Sequence, residues 1–128
     1  GSLGLSKGSE QRLKGQVREI TKRKRGISLE EMLGRLRTKL QGWLNYFRYA
    51  RMNSKMEAVD GWIRRKLKCF RLKQCKRRIG IVRWLRKLGV EETLSWRTAL
   101  SGKGWWRLSN SPALSIGMNK MWFAQQGY

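Results

Sequence analysis

The sequence predicts an all-α fold, a small helical bundle with five or six helices. Three observations carry that prediction. Apolar residues recur at spacings of three and four along most of the chain, and no stretch alternates convincingly enough for a strand. Ser-x-x-Glu pairs stand at the heads of two such segments, the capping-box pattern that opens helices. Proline occurs once, at Pro112, so little interrupts helical runs.

Taken in order, residues 1–8 are rich in glycine and serine and are expected to be a disordered tag or linker. Gly1-Ser2 in place of an initiator methionine reads as a cloning scar, so an excised fragment is expected. Ser9 can cap a first helix, with Leu13, Val17 and Ile20 on one face. Lys22, Arg23, Lys24 and Arg25 then lead to Gly26, a C-terminal signal, and residues 22–27 read as a basic loop.

Ser28 and Glu31 form the first capping box. The helix they open carries Leu29, Met32, Leu33, Leu36, Leu40, Trp43, Leu44 and Phe47 on an arc of about 120°, the width of a core-facing stripe. Ser54 and Glu57 form the second box. Its helix has Met56, Val59, Ile63, Leu67 and Phe70 on one face and basic residues around the rest. Asp60 and Arg64 are placed to pair at i,i+4.

A short helix is expected over Ile79–Leu88, closed by Gly89, and another over Glu91–Leu100, closed by Gly102. Residues 103–110 read as a loop. Ser111 as cap and Pro112 at the first position open a last helix through Leu114, Met118, Met121, Trp122 and Phe123.

Charge narrows the function. The 128 residues hold 30 lysines and arginines against 8 acids, a formal charge of +22. Nine of the bases lie in the fifteen residues from Arg64 to Arg78, without an acid among them. Such like charge repels itself in a compact chain, and a polyanion relieves that repulsion. Arg64, Lys68 and Arg71 form a ridge able to follow a phosphate backbone; Arg65, Lys73, Lys76, Arg77 and Arg78 flank it. The alternative for the run is a solvated helix face. For Lys22–Arg25 a solvated turn is the alternative to nucleic-acid contact.

Aromatic residues offer a second mode. Trp43 and Phe47 lie on the core arc, Tyr46 at its edge and Tyr49 on the far side, while Trp62 and Trp122 are expected to pack inside. Trp105 and Trp106 fall in the expected loop, where two adjacent indoles do not easily both point inward. Either both plug a gap beside the last helix, or one stacks on a base while Arg107 meets phosphate. Trp105 and Arg107 are the residues assigned to that contact.

The exclusions are as informative. Without histidine, the usual serine and cysteine triads and most zinc sites are absent. The eight acids form no cluster for two magnesium ions, and no Walker-type loop is present. Neither catalytic residue, metal nor cofactor is expected, nor a small-molecule ligand. Cys69 and Cys75 fall about 240° apart around one helix, too far to pair, so a reducing, cytoplasmic setting is expected. No apolar run approaches the roughly 18 residues of a membrane span.

Specific motifs sharpen the reading. The stretches Arg25-Gly26-Ile27-Ser28-Leu29-Glu30-Glu31 and Gly42-Trp43-Leu44-Asn45-Tyr46-Phe47 resemble the maturase-specific region of group II intron-encoded reverse transcriptases. Asp60-Gly61-Trp62-Ile63-Arg64-Arg65-Lys66-Leu67 and Phe70-Arg71-Leu72-Lys73-Gln74-Cys75-Lys76 continue the match. Leu88-Gly89-Val90 and Trp106-Arg107-Leu108-Ser109-Asn110-Ser111-Pro112-Ala113-Leu114 look like the segment that follows it in those proteins.

The resemblance implies a bundle of the thumb type, domain X, over residues 9–78, with a C-terminal helical extension over 79–128. It implies binding of intron RNA in aid of splicing and retrohoming, and a grip on template and primer beside the fingers and palm. Polymerase chemistry belongs to a palm whose Tyr-x-Asp-Asp motif this sequence lacks. Two rival functions stand beside it: a generic basic DNA-binding module, and a helical module that docks on a polymerase. A cationic membrane-surface helix explains the broad apolar faces less well than mutual burial does.

Overall fold

The computed structural model describes residues 7–22, 26–40 and 54–126, without the side chains of Lys7, Ser9, Ser54, Lys55 and Met56. The expectations for residues 1–6, for residues 23–25, and for Trp43, Leu44, Asn45, Tyr46, Phe47 and Tyr49 lie outside the described residues, as does capping by Ser54. Among those described there are eight helices and no strand. They are α1 (Lys7–Lys22), α2 (Leu29–Lys39), α3 (Ser54–Cys75), α4 (Arg78–Lys87), α5 (Glu92–Ala99), α6 (Trp105–Leu108), α7 (Pro112–Gly117) and α8 (Lys120–Gln125). The fold is all-α. The chain divides inside α3 into two compact units, Gly1–Arg64 and Arg65–Tyr128.

In the first unit, α1 begins at Lys7, two residues ahead of the expected cap, and buries Leu13 and Val17. Gly26 has φ of +84°, the left-handed conformation that glycine adopts without a Cβ clash. Ser28 then accepts a hydrogen bond from the Glu31 backbone N–H at 3.1 Å, satisfying one of the free donors at the head of α2. Leu29, Met32, Leu33, Leu36 and Leu40 are all buried, at the three- and four-residue spacings of the sequence. α1 packs on α2. Val59 and Ile63 complete this core from α3.

The second unit starts with the basic half of α3. Leu67 and Phe70 are buried as the stripe requires, but so are Cys69 and Leu72, which stand on the opposite side of the helix. This half of α3 is therefore covered on more than one side. α4 packs closely against α5, and α7 against both. Gly117 permits that last approach: a Cβ there would stand 3.0 Å from Leu88 Cδ1 and 3.1 Å from Val90 Cγ2. Leu85, Val90, Ala113, Leu114, Met118 and Phe123 form the centre.

Two differences from the sequence expectation raise the helix count. The expected loop 103–110 contains a single turn, α6. The expected last helix divides at Asn119, whose Oδ1 accepts from the Trp122 backbone N–H at 2.8 Å and caps α8 anew. Gly89 (φ +92°) and Gly102 (φ +72°) follow α4 and α5 as expected. No described helix is long and apolar enough to cross a membrane.

Candidate nucleic-acid interface

The basic run of the sequence becomes a corner. After α3 ends at Cys75, Lys76 takes φ of +58°, unusual for a residue with a Cβ, and the Arg77 N–H donates to the Cys75 carbonyl. The chain turns within these residues, and Gly80, in the first turn of α4, lies against the end of α3. A Cβ at Gly80 would stand 2.6 Å from the Cys75 carbonyl oxygen. The tight turn leaves Lys73, Lys76, Arg77 and Arg78 exposed together around one corner.

The other predicted bases of α3 are held by internal partners. Arg64 Nε donates to Asp60 Oδ2 at 3.2 Å, the pair expected from the sequence. Arg65 reaches across to α6: its Nη2 donates to the Trp106 carbonyl at 2.8 Å and its Nε to Ser109 Oγ at 2.9 Å. The same guanidinium lies 4.0 Å from the Trp106 ring centroid, a cation–π stack. Lys66 Nζ stands 5.9 Å from that ring. Arg71 stacks 4.2 Å from the Trp84 centroid and donates through Nη1 to Gln74 Oε1 at 3.2 Å. Trp84 meets Trp122 edge-on at 5.9 Å, and Trp122 meets Phe123 at 5.0 Å, so Arg71 closes a row of aromatic rings. Lys68 is half-buried.

Beyond the corner, Trp105 is half-buried, whereas its neighbour Trp106 is 39 % exposed and Arg107 is exposed. The sequence assigns the stacking contact to Trp105; the more open indole is Trp106. Only the fold distinguishes them, because adjacency in sequence says nothing about which ring a distant arginine will cover. Lys22 is exposed in the last turn of α1.

The first unit holds a cationic groove that the sequence did not suggest. Arg12, Gln16 and Glu19 of α1 face Arg35 and Lys39 of α2 across it. No sequence signal marks Arg12 or Lys39, since their association depends on how two helices pack. Arg35 is paired with Glu31 at 3.2 Å.

Both cysteines are free. Burial pushes the thiols of Cys69 and Cys75 above their ordinary pKa, against the opposing pull of Lys73 on the first and Arg71 on the second. Both therefore stay protonated and unreactive at neutral pH.

The family described as group II intron, maturase-specific domain, matches residues 10–89, well over half of the chain. The chain belongs to that family. No curated protein matches it. Membership places this maturase domain in group II intron splicing, in a part that is maturase-specific and not catalytic. The matched stretch of the maturase domain includes the whole α3–α4 corner and ends before the tryptophans of α6.

Proposed function

We propose that this maturase domain binds group II intron RNA through the α3–α4 corner and helps the intron reach its splicing-competent shape. The observation that carries the proposal is the corner itself: Lys73, Lys76, Arg77 and Arg78 are exposed side by side in a unit whose bases outnumber its acids fifteen to two. Lysines and arginines that meet phosphates there displace the cations condensed on the RNA, and the entropy of those released ions favours binding. A-form RNA hides its base edges in a deep groove, so a rigid basic corner reads backbone path and shape.

Lys68 and Arg107 extend the surface, and Lys22 with residues 23–25 forms a separate contact. Arg64, Arg65 and Arg71, each fixed by an internal partner, offer their remaining N–H groups as pre-oriented donors. Within a parent reverse transcriptase, the same surface grips template and primer beside fingers and palm. The setting is cytoplasmic.

The test replaces the four corner bases by neutral residues, as Lys73→Gln, Lys76→Asn, Arg77→Gln and Arg78→Gln together. Asparagine at 76 tolerates the left-handed backbone, so the turn is preserved. The variant should keep its circular dichroism, bind folded intron RNA more weakly, and lose about three from its logarithmic salt slope. An unchanged slope and affinity would overturn the assignment. Equal affinity of the parent chain for duplex DNA and intron RNA at one salt concentration would favour the DNA-binding reading.

A further inference from the structure

We infer that Trp106, held from behind by Arg65, is a stacking platform for an unpaired RNA base, with Arg107 and Lys103 placed for that nucleotide's phosphates. The inference rests on the RNA-binding reading and adds a preference for single-stranded nucleotides, with Lys103, Trp106 and Arg107 beyond the family match and Arg65 within it.

Exposed tryptophan is costly in water, and here the exposure is organised. One face of the Trp106 ring lies on the Arg65 guanidinium at 4.0 Å, and the ring is still 39 % exposed. Lys66 Nζ also stands over the ring, 5.9 Å from its centroid, and the open portion is what the guanidinium and this amine leave. Arg65 is itself tied down by the Trp106 carbonyl and by Ser109 Oγ, and Ser109 is fully buried. Ring and cation are therefore fixed before any ligand arrives, and ordering an already rigid indole costs a ligand little. A base laid on the open face would complete a guanidinium–indole–base stack. Stacking of this kind takes any base but needs it unpaired, because paired bases present only their edges.

The surroundings select a nucleotide over an apolar partner. Lys103 and Arg107 flank Trp106 in sequence, both exposed and without a side-chain partner among the described residues. No acid occurs after Glu92 in the sequence. Arg65 spends one edge on α6, leaving Nη1 without a partner among the described residues and able to meet a phosphate. An aromatic ring backed by a fixed guanidinium, in a segment that carries exposed bases and no acid, matches a base with its backbone.

The experiment compares two RNAs of equal phosphate number, a hairpin with a single-stranded purine loop and a fully paired duplex, against the full chain and its Trp106→Ala and Trp106→Phe variants. The Arg65 bonds to the residue-106 carbonyl and to Ser109 survive both substitutions, and circular dichroism checks the fold. The parent chain should prefer the hairpin. Trp106→Ala should bind the hairpin about tenfold more weakly with duplex affinity unchanged, and Trp106→Phe should recover most of the loss. A hairpin preference that persists in Trp106→Ala would overturn the stacking site while leaving RNA binding intact. Equal weakening of hairpin and duplex would also overturn it, marking Trp106 as structural. Failure of the parent chain to bind either RNA would remove the RNA reading and this inference together.

Discussion

The two units handle positive charge in opposite ways. In the first, acids stand one helical turn from bases, and Lys14–Glu10, Arg35–Glu31 and Arg64–Asp60 all pair at 3.2 Å. In the second, fifteen bases face only Glu91 and Glu92, and neither acid forms an ion pair with a described residue. Those two instead occupy the cap and first position of α5, where they oppose the helix dipole. The arginines of this unit that need fixing lie on indoles, Arg65 on Trp106 and Arg71 on Trp84. A carboxylate partner orients a cation and cancels its charge. An indole orients the cation and leaves the charge for an outside anion. The first unit also stacks cations on an aromatic ring, Lys14 and Arg18 each 5.3 Å from Trp62, so indole stacking is common to both and acid pairing is what divides them.

The sharpest contrast comes from one substitution made in each unit. Gly80→Ala should destabilise the protein by about 2–3 kcal/mol in denaturant unfolding, because the new methyl meets the Cys75 carbonyl and the corner must open. Gly34→Ala, in the interior of α2 with nothing within 4 Å, should stabilise by about 0.5–1 kcal/mol through helix propensity. Equal effects would mean that the corner is not tightly packed. Next in size, Arg71→Ala should cost about 1 kcal/mol, since a stacked, half-buried guanidinium is lost. Arg35→Ala should cost only a few tenths, as its pair with Glu31 is exposed. Parity between the two would erase the distinction drawn above.

The smallest effect concerns pH. Burial raises the thiols of Cys69 and Cys75, both in the second unit, above the unfolded value. The folded chain thus keeps protons that the unfolded chain has released, and stability falls as pH rises past the ordinary cysteine pKa of about 8.5. The combined variant Cys69→Ala, Cys75→Ala should lack this alkaline decline in denaturant midpoints. A decline of equal steepness in that variant would assign it to other groups.

Much of the fold can be read from local pattern. The burial of Leu29, Met32, Leu33, Leu36 and Leu40, the cap at Ser28, the Asp60–Arg64 pair and the left-handed glycines at 26, 89 and 102 follow from spacing and residue type within a turn or two. What escapes depends on distant partners. One apolar stripe is visible on α3, yet Cys69 and Leu72 are buried on its other side, a face that the sequence marks as basic. Asn119 interrupts an apolar pattern that otherwise runs on, because a capping amide competes with helix continuation. At the candidate interface, the density of charge at 73–78 is evident in sequence, but the turn that gathers it is not. The choice of Trp106 over Trp105 depends on Arg65, more than forty residues away.

The absence of histidine has a further consequence for the corner. Histidine is the side chain whose unperturbed pKa puts its change of charge between about pH 5 and 8. With no histidine and both thiols pushed upward, the second unit lacks the side chain that ordinarily switches charge across the neutral range. Acidification of its surroundings would leave its hold on a polyanion unchanged. Adjustment must come from ionic strength, from competing polyanions, or from covalent neutralisation of its lysines. Lys73 and Lys76 are the two exposed amines at the corner where acylation would remove charge without disturbing a buried contact.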